Sequence, residues 1–204
     1  MAPYLESITS FADVPITDAG IDTLAFLQAS TGLVGLFDLL GSAAFVPVTK
    51  DLTGNIAKVR ARYDATPTLS STLQKLVENE KGEKKQTATE GLMWLLRGLF
   101  FTLKALQYTV AHPTEELNKA FAESYSKTLS QFHNFVVKGV FSVALKACPY
   151  RKDFFEKLRA DPNGASAASE ETVQAELTKW LSGLEKIVTT MQTFYEQGKY
   201  GKVI

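Results

Sequence analysis

Apolar residues recur at three- and four-residue intervals along almost the whole chain, and no segment shows the period-two alternation of a half-buried strand. Leu24, Leu27, Leu36, Phe37, Leu39 and Leu40 predict an amphipathic helix over 24–40, ended by Gly41 and Ser42. A second is expected over 45–63, with Pro47 in its first turn, where a missing N–H costs little. Ala65, Thr66 and Pro67 separate it from a third over 68–80, and the polar stretch 81–86 reads as a loop. The densest apolar run, 87–110, predicts a long central helix. His112 and Pro113 end it, Thr114 is placed to cap the next helix, and 115–147 suits one helix or two before Pro149. A short helix over 153–158, a loop over 159–169 and a last helix from Ser169 to near Gln197 complete the reading. The expected fold class is all-α, with about eight helices around one core in a single domain over 1–204.

Charge and composition remove several function classes. Lys+Arg and Asp+Glu are both 22, so the net charge is zero and the counterion-release term that drives general nucleic-acid binding is missing. The same balance argues against membrane attachment through a polybasic surface. Cys148 is the lone cysteine, beside His112 and His133 as the two histidines. These exclude an intramolecular disulfide, a cysteine zinc cage and a His-rich metal site, and suggest a reducing, cytoplasmic compartment. The N-terminus lacks the basic start and apolar core of a secretory signal, and the two longest apolar runs are broken by Asp38 and Arg97. Membrane contact is therefore expected to be peripheral. Phosphate-loop, dinucleotide-loop and nucleophile-elbow motifs are absent, no cofactor is implied, and composition suggests no enzyme.

Asp51, Asn55 and Lys58, spaced i, i+4, i+7, share one face of the second helix, while Leu52, Ile56 and Val59 form a neighbouring stripe toward the core. Acceptors, a mixed amide and a donor suit a run of hydroxyls, as on a sugar, better than a phosphate. A plain solvated polar face has the same spacing. Trp94 and Arg97 lie one turn apart in the most apolar helix: a flat platform for a pyranose ring, or a core tryptophan beside a snorkelling arginine. His133 falls inside a helical stretch among Phe132, Phe135, Val136 and Val137, where a satisfied core histidine is the ordinary reading. The abundant phenylalanines, Phe101, Phe121 and Phe141 among them, likewise read as core before they read as a lipid tunnel.

Together these features resemble the glycolipid transfer protein family. The resemblance is carried by FDLLGSAAFVPV (37–48), KDLTGNIAKVRARYD (50–64), LMWLLRGL (92–99), QFHNFVVKGVF (131–141) and PYRKDF (149–154), in matching order and spacing from about Leu24 onward. Length and N-terminal style look closest to the family's fungal heterokaryon-incompatibility branch. The resemblance implies a two-layer all-helical sandwich that takes up one glycosphingolipid, such as glucosylceramide, and transfers it between membranes without catalysis. It implies that Asp51, Asn55 and Lys58 hydrogen-bond the first sugar, that Trp94 lies beneath it, and that His133 binds the ceramide amide carbonyl while Asp51 takes the amide N–H. Arg97 matches a basic residue near the headgroup, in a direct or structural role, and Tyr150 matches a tyrosine near the entrance. The ceramide-1-phosphate branch replaces the asparagine and tryptophan by basic residues, so Asn55 and Trp94 favour a sugar headgroup.

Two positions depart from the pattern. Phe135 stands where animal members carry a membrane-contacting tryptophan, and phenylalanine lacks the indole N–H that favours the interface. Glu90 stands one turn before Trp94, where those members are apolar, and is expected near the sugar. A glycolipid hydrolase using Asp51 with His133, and a glycolipid sensor reporting to an unidentified protein partner, are the rival functions. The hydrolase lacks a recognisable second carboxylate apart from Glu90.

Overall fold

The computed structural model of the protein describes residues 3–41, 43–160 and 167–204. Among the described residues are nine α-helices: α1 (Pro3–Ser7), α2 (Thr23–Leu39), α3 (Val46–Ala65), α4 (Leu73–Glu80), α5 (Thr87–Ala111), α6 (Leu117–Lys127), α7 (Phe135–Lys146), α8 (Arg151–Arg159) and α9 (Glu170–Gly198). Local chemistry sets their ends. The Asp22 carboxylate accepts a hydrogen bond from the Ala25 N–H at 2.8 Å and starts α2, and Gly41, at φ +69°, follows its end. Pro47 occupies the first turn of α3. The Ser169 hydroxyl starts α9 by accepting from the Thr172 N–H at 3.1 Å. Ser42, expected at the end of α2, and residues 161–166, the middle of the loop expected over 159–169, lie outside the described residues.

Several expectations are corrected. Residues 68–80 are not one helix: a 3-10 turn (Thr68–Ser70) comes first, and Thr72 caps α4 by accepting from the Lys75 N–H at 3.3 Å. Thr114 caps nothing, because α6 starts after Glu116 without a side-chain cap. The stretch 115–147 divides into α6, a 3-10 turn (Leu129–Phe132) and α7. Asn134 causes the division, since its side-chain oxygen accepts from the Val137 N–H at 3.0 Å and starts a new helix. His133 is therefore not helical; it stands in extended backbone (φ −100°, ψ 135°) between the turn and α7. The short α1 and a two-stranded antiparallel ladder, Ile16–Thr17 with Gly20–Ile21, were not expected. Two residues per strand are too few to write an alternating pattern.

The helices pack as a two-layer sandwich with α5 at its centre. α3, α6 and α9 lie against α5, while α2 lies on α3 and α8 joins α2 to α9. Leu95, Leu96, Leu99, Leu103 and Leu106 of α5 are fully buried, as are Leu184 and Ile187 of α9. Among the described residues, no helix is long and apolar enough to cross a membrane.

The start of α5 has an unusual cap. Gln86 offers no side-chain bond. Instead Glu80, only 3% exposed at the end of α4, accepts from the Ala88 N–H (3.0 Å), the Thr89 N–H (2.7 Å) and the Thr89 hydroxyl (2.8 Å). Its carboxylate thus meets both the orphan donors and the positive end of the helix dipole.

Candidate functional site

Close approach of α3 and α5 builds one wall of a cavity. A Cβ placed on Gly98 would stand 2.8 Å from Leu52 Cδ2, and one on Gly91 would stand 3.0 Å from Lys58 Cβ, so the bare face of α5 lets α3 lie against it. That contact sets Asp51, Asn55 and Lys58 opposite Trp94. All four, with His133, line a cavity of about 530 Å³ closed on its other side by the 3-10 turn and α7. Its size suits a small-molecule site. Leu129, Phe132, Val137, Val140 and Phe141 continue it as an apolar floor. Leu52 and Val59 point into the core, as the neighbouring stripe requires.

The polar end is a chain of hydrogen bonds. Lys58 Nζ donates to Asn55 Oδ1 at 2.9 Å, and Asn55 Nδ2 donates to Asp51 Oδ2 at 3.3 Å. Asn55 is 2% exposed, so this pairing orients its amide. Desolvation raises the pKa of Asp51, outweighing the lowering by the Lys58 charge and the Asn55 hydrogen bond. The Asp51 carboxylate keeps a free oxygen beside the cavity, with Asn55 as its hydrogen-bond donor. Asp51 is the one carboxylate among the described residues lining the cavity.

His133 lines the same space. Its ring stacks with Trp94 (centroids 6.0 Å apart, 17° between planes) and lies 4.8 Å from Phe141. The Tyr125 hydroxyl is 3.1 Å from His133 Nδ1. With that hydroxyl donating, Nε2 carries the imidazole hydrogen and becomes a donor. Desolvation lowers the His133 pKa first, and the positive charges of Lys138 and Arg97 lower it further, so the ring is neutral at neutral pH. The linkage has a definite sign. The unfolded chain, with a histidine value of about 6.5, takes up the proton before the folded one does. His133 therefore leaves stability unchanged above that value and reduces it as the pH falls below. The thermal midpoint of the parent is expected to drop more between about pH 7 and pH 5.5 than that of His133→Gln; parallel curves would show that His133 does not titrate in this way.

Residues 21–160 match the family model for Glycolipid transfer protein (GLTP). The chain belongs to the glycolipid transfer protein family. It is 48% identical over 185 residues to the Glycolipid transfer protein of Aureobasidium melanogenum, a match covering 91% of this chain and 88% of that relative. The crystal structure of HET-C2, a fungal glycolipid transfer protein, superposes with a TM-score of 0.87 at 46% identity, covering 95% of this chain and 96% of that one. The structure reported for FAPP2, which selects simple glycosphingolipids using the GLTP-fold, superposes with a TM-score of 0.86 at 34% identity, covering 98% and 99%. The chain spans 37% of the length of other, longer mammalian relatives that it matches at 38% identity.

Four residues that the glycolipid transfer protein resemblance singled out lie outside this lining. Arg97 is 7% exposed and sits beside Trp94, its guanidinium carbon 4.4 Å from the indole centroid, and burial lowers its pKa. It does not snorkel. Glu90 is exposed and lines a separate, shallow polar pocket with Lys84 and Lys85. Tyr150, 72% exposed, is the residue before α8. Phe135, 85% exposed, opens α7 two residues after His133, with Val136, Val140 and Val143 also exposed along that helix. Tyr125, which holds His133, was missed by sequence reasoning because an aromatic in an amphipathic helix carries no mark of its partner.

Proposed function

We propose that the chain carries one glycosphingolipid between membranes. In this reading Asp51, Asn55 and Lys58 hydrogen-bond the first sugar and Trp94 stacks beneath it. The His133 Nε2–H donates to the ceramide amide carbonyl and Asp51 accepts from the amide N–H, while the chains occupy the apolar floor. The supporting observation is convergence: five residues from three separate segments meet in one cavity whose polar end runs into Leu129, Val137 and Phe141. Lipid carriage explains the layout. Each buried methylene is worth about 0.8 kcal/mol, so a long lipid chain leaves a bilayer slowly unless it passes directly into an apolar slot. Hydrocarbon is interchangeable, so discrimination falls to the polar end, where each buried group left unpaired by a wrong headgroup costs about 1–3 kcal/mol.

Carriage without hydrolysis is favoured because glycosidases work with a pair of carboxylates, whereas Asp51 stands alone among the described lining residues. A sugar is favoured over a phosphate because Lys58 is the one cation in that lining and an indole, Trp94, stands beside it. Glu90 stands outside the cavity lining, in a separate pocket with Lys84 and Lys85, so any preference for neutral over sulfated glycosylceramides that it contributes is modest. The chain works in the cytoplasm, as one domain, touching membranes only transiently.

Vesicle-to-vesicle transfer of glucosylceramide, lactosylceramide, sulfatide and ceramide 1-phosphate by the purified chain tests the reading. Glucosylceramide is expected to move fastest with no free sugar released. Release of glucose would establish the hydrolase, and binding without transfer would establish the sensor. Docking is assigned to the exposed face of α7. Phe135→Ala removes an aromatic side chain worth about 1.5–3 kcal/mol when buried, so vesicle association should weaken by roughly tenfold or more, with headgroup preference unchanged. Equal association by variant and parent would place the docking surface elsewhere.

A further inference from the structure

Residues 199–204 leave α9 at Lys199, whose φ of 57° is left-handed, and run back along α5 as a strap. Gly201, at φ +132°, presses on Met93: a Cβ there would stand 2.8 Å from the Met93 sulfur. Lys202 then presents its backbone carbonyl to Arg97 Nη2, and Val203 is fully buried. The Arg97 guanidinium carbon lies 3.7 Å from the Phe132 ring centroid and 4.4 Å from that of Trp94. Its hydrogen bonds go to the Lys202 carbonyl and the Met93 sulfur rather than to a carboxylate, and the buried Nε has no partner. A buried cation without a counter-ion is costly, and two aromatic faces and one carbonyl are what offset it here.

Both rings that flank Arg97 also line the cavity. The strap itself lines none of it. We propose that Arg97 is a positioning residue: the strap holds the guanidinium, and the guanidinium holds Trp94 and Phe132 at the angle the sugar needs. Residues 199–204 thereby set headgroup affinity without touching the ligand. The chain of contact is short and specific, Gly201 to Met93, Lys202 to Arg97, Arg97 to Trp94. A lysine cannot substitute, because an ammonium is a compact point charge that lacks the flat, forked guanidinium able to contact both rings while donating to the Lys202 carbonyl. This inference rests on Trp94 being the sugar platform.

The chain has two tryptophans, so ¹⁵N-labelled protein shows two indole N–H resonances, and Trp94→Phe assigns them. Gly201→Val displaces the strap from outside the cavity, and Arg97→Lys keeps the charge but loses the flat fork. Each is expected to shift the Trp94 resonance and leave Trp180 in place. Each should weaken binding of short-chain glucosylceramide by about tenfold while binding of the matching ceramide changes by less than about twofold. The double variant should be no worse than the more impaired single one, because both cut the same connection. Equal losses for both lipids with both resonances moved would reduce Arg97 to a general stabiliser and overturn the proposal. A Trp94 resonance that stays in place would overturn the tie itself. A shifted Trp94 resonance with glucosylceramide binding intact would overturn the reading of Trp94 as platform, and with it the inference. If Gly201→Val does not fold, Arg97→Lys delivers the same readouts from the other end of the connection.

Discussion

Asp51→Val is expected to abolish glycolipid transfer while leaving the helical circular-dichroism spectrum intact and the thermal midpoint close to the parent's. The loss is large because the proposed carboxylate contacts, to a sugar hydroxyl and to the amide N–H, are charge-assisted at about 1.5–3 kcal/mol each, so affinity falls at least about a hundredfold. The stability result comes from the opposite side of the same physics. Desolvation raises the Asp51 pKa despite Lys58 and Asn55. The folded chain therefore binds that proton more readily than the unfolded one, and the ionised carboxylate costs stability at neutral pH. Removing it lifts that cost, but it also leaves the buried Asn55 Nδ2 without its acceptor and adds a small helix-propensity penalty for valine, so the effects offset. Near-normal transfer by the variant would remove Asp51 from the site, and a collapsed spectrum would make it a structural residue.

Glu80→Ala is expected to damage the fold severely. Two backbone N–H groups and the Thr89 hydroxyl lose their acceptor in a place water does not reach. At about 1 kcal/mol each the loss is about 3 kcal/mol, or about 6–12 °C in the thermal midpoint of a chain this size. The damage spreads to the site, because Trp94 stands less than two turns beyond Thr89 and Tyr195 also anchors that turn by donating to the Thr89 carbonyl at 2.8 Å. Glucosylceramide transfer should fall alongside the midpoint. A variant that melts with the parent would mean that another group caps α5.

What could be read from residues alone divides along a physical line. Helix identity was legible wherever apolar spacing was long and punctuation chemical: Pro47, Gly41 and Ser169 mark ends that the structure places within a residue or two. The 131–141 stretch defeated the same method. Its apolar residues keep helical spacing straight through a break, and only the cap chemistry of Asn134 distinguishes His133 in extended backbone from a helical histidine. The meeting of Asp51, Asn55, Lys58, Trp94 and His133 was expected from a family resemblance, since spacing within one helix says nothing about which other helix faces it. Glu80 was invisible because its partners are backbone groups beyond a loop, and backbone groups leave no trace in a sequence. Arg97 was open from sequence between a direct role near the headgroup, a structural one and a snorkelling side chain; only the fold shows its carbonyl and its two rings.

The poor burial of α7 has a thermodynamic consequence. Its one fully buried side chain is Ala144, with Val137, Phe141 and Leu145 half-buried beneath it. So little apolar area holds the helix down that its opening free energy is far below that of α5, whose leucines are sealed on every side. Lifting α7 is thus a low-cost fluctuation of the fold, and Val137, Val140 and Phe141 of that helix are themselves part of the cavity's apolar floor. In the proposed carriage, fatty chains would need no dedicated gate: a loosely held helix, on rising, turns its own share of the apolar floor outward.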